Sequence, residues 1–198
     1  MMCAALGNHA AAVTALLKRP GVEVEVEAVD TQQRRTALLH AAAGGLGTEA
    51  IEALVTVGHA DALARDKMQR TALMLAALAE TRGKATAVLT LLHRLGCSPN
   101  ATDGSGLTAL GLACRAGNVV AIEPLLKLTS ARDIVAHTDA RGMTPLMHAA
   151  ASGHGAVVRL LLDLQAFATS SQDADGRTAL DHAEAQGFKE VAVMLVRA

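Results

Sequence analysis

The chain has 198 residues, a formal net charge of −1 and a hydrophobic fraction of 51%, yet it holds no Trp, no Tyr and only two Phe. A near-neutral total excludes a nucleic-acid or membrane-surface specialist, and no apolar run approaches the roughly 18 residues of a membrane span. A core built from Ala and Leu is thin and suits closely spaced helices rather than a broad globular interior.

At the N-terminus, "MMCAALGNHAAAVTALLKRPG" lacks the basic leading region of a secretion signal, with Lys18 and Arg19 on the wrong side of the apolar stretch. It reads instead as the end of one helix, "CAALGN", followed by a second, "NHAAAVTALLKR". Next, "VEVEVE" from Val22 to Glu27 alternates with period two. It is expected to be an extended arm whose glutamates discourage edge pairing with other chains; a docking strand is the alternative.

From there one motif returns every 34 to 37 residues: "TALLHAAAGG" from Thr36, "TALMLAALAE" from Thr71, "TALGLACRAG" from Thr108, "TPLMHAAASG" from Thr144 and "TALDHAEAQG" from Thr178. Each copy precedes a second apolar helical pattern, and turn segments such as "DGSGLT" and "DARGMT" separate the units. The repeat is the primary signal in this chain. Each threonine occupies a helix N-cap position, where its hydroxyl accepts from an otherwise unpaired N–H. Pro145 follows at the first helical position. Leu38, Leu73, Leu110, Leu146 and Leu180 face the core, each worth roughly 1.5–3 kcal/mol when buried. Ala41, Ala76, Ala113, Ala149 and Ala183 let neighbouring helices approach. Gly45, Gly117, Gly153 and Gly187 end the first helices with positive φ, a place that Asn8 takes in the first unit. Gly106, Gly142 and Gly176 belong to tight turns.

Departures from the motif are as informative. Glu80 replaces a helix-ending glycine, and "ETRGK" predicts a longer inter-helix loop. Gln69 replaces a turn glycine, and "DTQQRRT" has none. Pro124 falls inside a second helix, where it should kink the helix or cost ~3 kcal/mol. With "LTSARDIVAHTD" after it, the unit from Asp103 should be the irregular one. The last unit carries Asp181, Glu184, Gln186, Lys189 and Glu190, a polarity that suits a capping repeat.

Catalytic and metal readings fare poorly. His40, His148 and His182 each lie four residues after a motif threonine, so a linear array keeps them apart rather than converging them, and packing or hydrogen bonding is their expected role. Asp173, Asp175 and Glu184 have calcium-loop spacing, but the glycine is early and Arg177 takes the fifth place. "GGLG" has neither the strand nor the lysine of a phosphate loop, and paired-cysteine zinc spacing is missing. Cys3, Cys97 and Cys114 are too scattered for a disulfide framework and fit a reducing compartment; Cys97, in a turn, is the candidate for reactivity, but nothing basic is fixed beside it. No enzyme activity, cofactor or metal is expected.

"DARGMTPLMHAAASGH" from Asp139 and "LGCSPNATD" from Leu95 resemble the ankyrin-repeat pattern, and the resemblance covers nearly the whole chain. It implies an all-α ankyrin-repeat solenoid of stacked helix-turn-helix units with β-turn loops. Residues 1–29 form a truncated N-terminal unit, 30–65, 66–102, 103–138 and 139–172 internal repeats, and 173–198 a C-terminal capping repeat. It places His9 and His154 in the family's Gly-His position, where the ring bonds nearby backbone. Its functional implication is a protein-interaction module (adaptor, scaffold or regulatory subunit) that binds through turn tips and a concave face. The matching positions are Arg35; Lys67, Met68 and Arg70; Leu78; Gly104, Ser105 and Leu107; Arg115; Ala140, Arg141 and Met143; Ser152; and Arg177. That set is rich in Arg, Lys, Met and Leu, which suits a partner protein or acidic, amphipathic peptide. The alternative is a structural part of a larger assembly, docking through its N-terminal end. Asn100, with Leu92 eight residues earlier, is similar to ankyrin sites hydroxylated on asparagine in animal cells. A monomer is expected, in the cytoplasm or the nucleus.

Overall fold

The computed structural model describes residue 4 and residues 9–19, 25–45, 47–79, 84–130, 138–165 and 167–198. Among the described residues there are eleven helices and no strand. Five follow a motif threonine: α2 (Ala37–Ala43), α4 (Ala72–Leu78), α6 (Ala109–Ala116), α8 (Pro145–Ala151) and α10 (Ala179–Ala185). The second helices are α1 (Ala10–Leu17), α3 (Thr48–Thr56), α5 (Ala85–Arg94), α7 (Val119–Leu128), α9 (Gly155–Asp163) and α11 (Lys189–Val196). First helices stack on first helices and second on second, so each unit packs on its neighbours in sequence.

The local rules explain why each element starts and stops. All five threonines are N-caps whose hydroxyls accept from the backbone N–H three residues on. The five motif alanines are fully buried, as are Leu38 and Leu73. Leu180 departs from its expected core place: it is half-buried, packed against the core from α10. The left-handed slots are filled as the turns demand. Gly45, Gly117, Gly153 and Gly187 have positive φ at helix ends, and Gly106, Gly142 and Gly176 in turns. Where the turn glycine is missing, Arg34 (φ 54°) and Gln69 (φ 62°) adopt the same conformation, at the cost a Cβ imposes there.

Helix ends are completed by the following unit. His154 lies with Nε2 3.0 Å from the Arg115 carbonyl at the end of α6. Its ring packs on Gly117, where a Cβ would sit 2.6 Å from Nδ1. Phe188 packs in the same way on Gly153. Asn118 donates Nδ2 to the carbonyls of Ala77 and Ala79, at 2.9 and 3.0 Å. This supplies a cap to α4, whose end lacks a glycine and runs out extended at Ala79.

Other expectations change. The span from α4 to α5 runs from residue 79 to 84, against 117 to 118 between α6 and α7, so the loop is longer as "ETRGK" predicts, though 80–83 lie outside the described residues. α7 continues through Pro124, which is buried. The carbonyl that loses its helical donor there belongs to Val120, a residue 57% exposed, so water can serve it. Most of "LTSARDIVAHTD" falls on residues 131–137, outside the described residues, as do most of "CAALGN" and Asn8. "VEVEVE" is not an extended arm at its described end: Glu25 to Ala28 form a turn, closed by the Ala28 N–H on the Glu25 carbonyl at 3.4 Å. It matches the Asp61–Ala64 turn of the next unit, where the Ala64 N–H bonds the Asp61 carbonyl at 3.2 Å.

The turn aspartates tie the loops to the helices. Asp139 Oδ1 accepts from the N–H groups of Arg141 and Met143, at 2.8 and 2.9 Å. Asp173 Oδ1 does the same with Asp175 and Arg177, at 2.9 Å each. The other oxygen meets a histidine Nε2 of the same unit: His40 on Asp30 at 2.8 Å, His148 on Asp139 at 3.0 Å and His182 on Asp173 at 2.7 Å. The histidines are therefore clamps between turn and first helix, as their structural reading expects.

Two experiments follow from this architecture. Gly176 and Gly117 share the left-handed conformation, but only Gly117 is covered, by a ring pinned to Arg115. Gly176→Ala should cost about 1 kcal/mol in urea unfolding, and Gly117→Ala a further ~1–3 kcal/mol; equal costs would contradict the packing role of His154. The second concerns acid. Backbone N–H groups, that of Gln33 foremost, hold the Asp30 carboxyl down from 3.8 to about 2, with help from Arg35 and His40. Burial pushes His148 below its ordinary 6.5, outweighing the pull of Asp139. In both cases the folded chain holds fewer protons than the unfolded one, so stability falls with acid. The urea midpoint should decline as pH drops below 6.5, and again between 3.8 and about 2. A midpoint that rises on acidification through the first window would overturn the His148 assignment.

Candidate functional site

The turn tips form one continuous row. The Lys67 N–H donates to the Gln33 carbonyl at 2.7 Å, Gly104 to Met68 at 3.0 Å, Ala140 to Ser105 at 3.3 Å and Ala174 to Arg141 at 3.0 Å. One backbone bond per junction fixes each tip against the next. Side chains at the tips therefore project from a ladder of set spacing rather than from independent loops.

Of the residues expected on this face, Lys67, Arg115, Arg141 and Arg177 are exposed, with Gly104, Ser105 and Ala140 beside them. Met68 is 53% exposed, a large apolar side chain held out on a tip. Leu78 and Ser152, at the ends of α4 and α8, are half-buried. Two expectations are overturned. Leu107 is 3% and Met143 5% exposed; both belong to the core and line a gap between α6 and α8 with Gly111, Pro145 and His148. The position before the threonine carries Arg35, Arg70 and Arg177 in other units. A charged chain there reaches for solvent or a counter-ion, and an apolar one folds inward.

Arg35 and Arg70 are committed elsewhere too. Asp66, whose side chain is 0% exposed, accepts Nε and NH2 of Arg70 on Oδ2 at 2.9 and 2.8 Å, and Arg35 Nε at 3.4 Å. Burial would raise the Asp66 carboxyl. The hydrogen bonds and charge of Arg70, with the Met68 N–H, overcome that and hold it below its ordinary value. This unit has Leu75 where others have the clamping histidine, so the arginines take the oxygen that a histidine takes elsewhere. In the next unit Leu112 stands at that place, and among the described residues no arginine meets Asp103.

Some contributors were invisible in the sequence. Arg34 is exposed beside Gln33 because the longer "DTQQRRT" turn puts it in the left-handed slot. Arg65 bridges two units, donating NH1 to the carbonyls of Gln69 at 2.9 Å and Thr102 at 2.8 Å. Asp175 adds an acid 3.9 Å from Arg141. The basic bias is thus uneven. Tips 30–35 and 66–70 hold four basic and two acidic residues, whereas 139–143 and 173–177 hold two basic and three acidic.

The remaining chemistry is quiet. Cys97 is buried, donates its thiol to the Ala62 carbonyl at 3.2 Å and is pushed up to about 11 by burial. Burial pushes Cys114 up as well. Cys3 lies outside the described residues. Asn100 is half-buried in the turn after α5, its N–H 3.2 Å from Ser98 Oγ, and Leu92 is buried. Asp173 spends both carboxylate oxygens on its own turn and on His182, which accounts for the first residue of the calcium-like spacing. Among the described residues no group of three or more metal-ligating side chains could hold an ion, and no helix is long and apolar enough to cross a membrane.

The repeated sequence is shared with known proteins. The sequence matches the family described as Ankyrin repeats (3 copies) over residues 1–103, 78–168 and 130–198. It is 36% identical over 98 residues to the mouse Ankyrin repeat domain-containing protein 63, an alignment covering 50% of this chain and 24% of that protein. The human protein of the same name is 35% identical over 98 residues, covering 50% and 25%. The human SMC5-SMC6 complex localization factor protein 1 is 32% identical over 104 residues, covering 52% of this chain and 10% of that protein. The chain thus spans a quarter or less of the length of these relatives. Ankyrin repeats generally mediate protein–protein interaction and are typically non-enzymatic. With the family matched from end to end and the helices stacked unit on unit, the chain belongs to the ankyrin-repeat family.

Proposed function

We propose that this chain is a recognition module that binds a partner protein through its turn tips and the ends of its first helices, the partner segment being acidic and amphipathic. The observation that carries the reading is the hydrogen-bonded row of tips, with Lys67, Met68, Arg141 and Arg177 projecting from it. Arg115 and Ser152 extend the face at the ends of α6 and α8, and Leu78 adds apolar surface at the end of α4. Arg35 and Arg70 lie beside the row as a pair fixed on Asp66, their side chains 19% and 14% exposed. A cationic row with an exposed methionine complements carboxylates interspersed with apolar side chains. One human relative is named an SMC5-SMC6 complex localization factor.

The module acts as an adaptor, scaffold or regulatory subunit. Asn100, in its turn below α5, is the position we assign to asparagine hydroxylation; mass spectrometry of the native protein should find one added oxygen atom there, and an unmodified Asn100 dismisses the assignment.

The binding face is tested by pull-down from cells of the source with wild type and a Lys67→Glu/Met68→Asp double variant. Both positions are exposed, unlike Leu107, so circular dichroism should remain unchanged. Proteins recovered by the wild type should be lost by at least about tenfold with the variant. Full retention of the same partners by the folded variant refutes the face.

A further inference from the structure

We infer that Arg35 and Arg70 form a carboxylate clamp, held side by side by the buried Asp66, and that it receives an acidic side chain of the partner, fixing the peptide with its acidic end over the tips at 30–35 and 66–70. The inference rests on the concave-face reading above and adds where on the row, and in which direction, the partner lies.

Four features support it. First, one carboxylate faces two guanidiniums, so the cluster keeps an uncompensated positive charge, and Arg34 and Lys67 on the flanking tips add to it. Second, Asp66 is sealed from solvent while the side chains of Arg35 and Arg70 keep 19% and 14% exposure, so the atoms a partner can touch are those of the arginines. Arg70 gives Nε and NH2 to Oδ2, and Arg35 gives only Nε, at a long 3.4 Å. Among the described residues the terminal NH1 and NH2 of Arg35 have no partner, which leaves a two-pronged edge of the kind that binds a carboxylate in parallel bonds. Third, Asp66 orders both side chains before binding, which removes part of the rotamer entropy that a partner would otherwise have to offset. Asp66 is a positioning residue in this scheme. Fourth, the arrangement is particular to this junction. In the units of Asp30, Asp139 and Asp173 a histidine takes the second oxygen; Leu75 stands in its place here and leaves that oxygen to the arginines. The opposite end of the row has more acidic than basic residues, so an acidic segment is steered toward the clamp and away from Asp175. Met68 on the adjoining tip supplies the apolar contact.

The test uses the full chain and fluorescein-labelled peptides of alternating Glu and Leu, with a Gln/Leu peptide as the uncharged control, read by fluorescence anisotropy. The Glu peptide should bind, more weakly as NaCl rises, and the Gln peptide at least about tenfold more weakly. Arg35→Gln leaves the Arg70–Asp66 pair intact, so the fold survives; it should weaken the Glu peptide about tenfold, while Arg159→Gln, at an exposed position on the second helix α9, changes it less than about twofold. Asp66→Asn, with both arginines retained, should also weaken binding, since they lose their common anchor. Failure to bind the Glu peptide, equal losses with Arg35→Gln and Arg159→Gln, or tighter binding of a single-stranded RNA oligonucleotide overturns the clamp. If the peptide is indifferent to Arg35→Gln but lost with Lys67→Glu/Met68→Asp, the clamp fails and the concave face stands. Indifference to both sets removes the two readings together.

Discussion

The carboxylate of the turn aspartate is the group on which this architecture depends. One oxygen collects backbone N–H groups of its own turn and fixes the loop's shape; the other reaches down to the first helix and fixes the loop's attitude. With both done, the tip of each turn sits where its neighbour's backbone can bond to it. The row of tips, and with it the spacing of every exposed side chain along the face, follows from a single acid per unit. Where the helix offers no histidine, the second oxygen is available for other work. In the unit of Asp66 it organises a pair of arginines instead.

Much of this was legible in the sequence, for a physical reason. Helix starts and stops are local events: a threonine hydroxyl finds an N–H three residues away, and a left-handed residue needs only its own backbone. The five threonine caps and the helix-ending glycines therefore read directly from the motif. Even Arg34 and Gln69, which break the pattern by residue type, keep the left-handed turn, because the aspartate's hydrogen bonds over-determine the loop.

What escaped depends on contacts between units. Leu107 and Met143 share a motif position with Arg35, Arg70 and Arg177, but they are apolar and the gap between α6 and α8 gives them room to turn inward. The period-two run at Val22 suggests an extended segment, yet its described end is the same closing turn that Asp61 begins one unit later. Asn118 reads as an ordinary helix start; its bonds to Ala77 and Ala79 connect residues about forty positions apart. Taken by motif position alone, the face is rich in Arg and Lys throughout. Asp175 and the buried Asp66 turn it into a gradient.

The caps that pass from one unit to the one before give the array a direction. His154, Phe188 and Asn118 each close a helix end belonging to the preceding unit, so a unit is complete only when its C-terminal neighbour is in place. Peeling from the C-terminal side strips a cap from the unit left behind, whereas peeling from the N-terminal side leaves the next unit's helix end closed. The stack is thus a ratchet-like column in which cooperativity is vectorial: loosening spreads more readily toward the N-terminus, and a partner that bridges adjacent tips resists that spread by holding the units in contact.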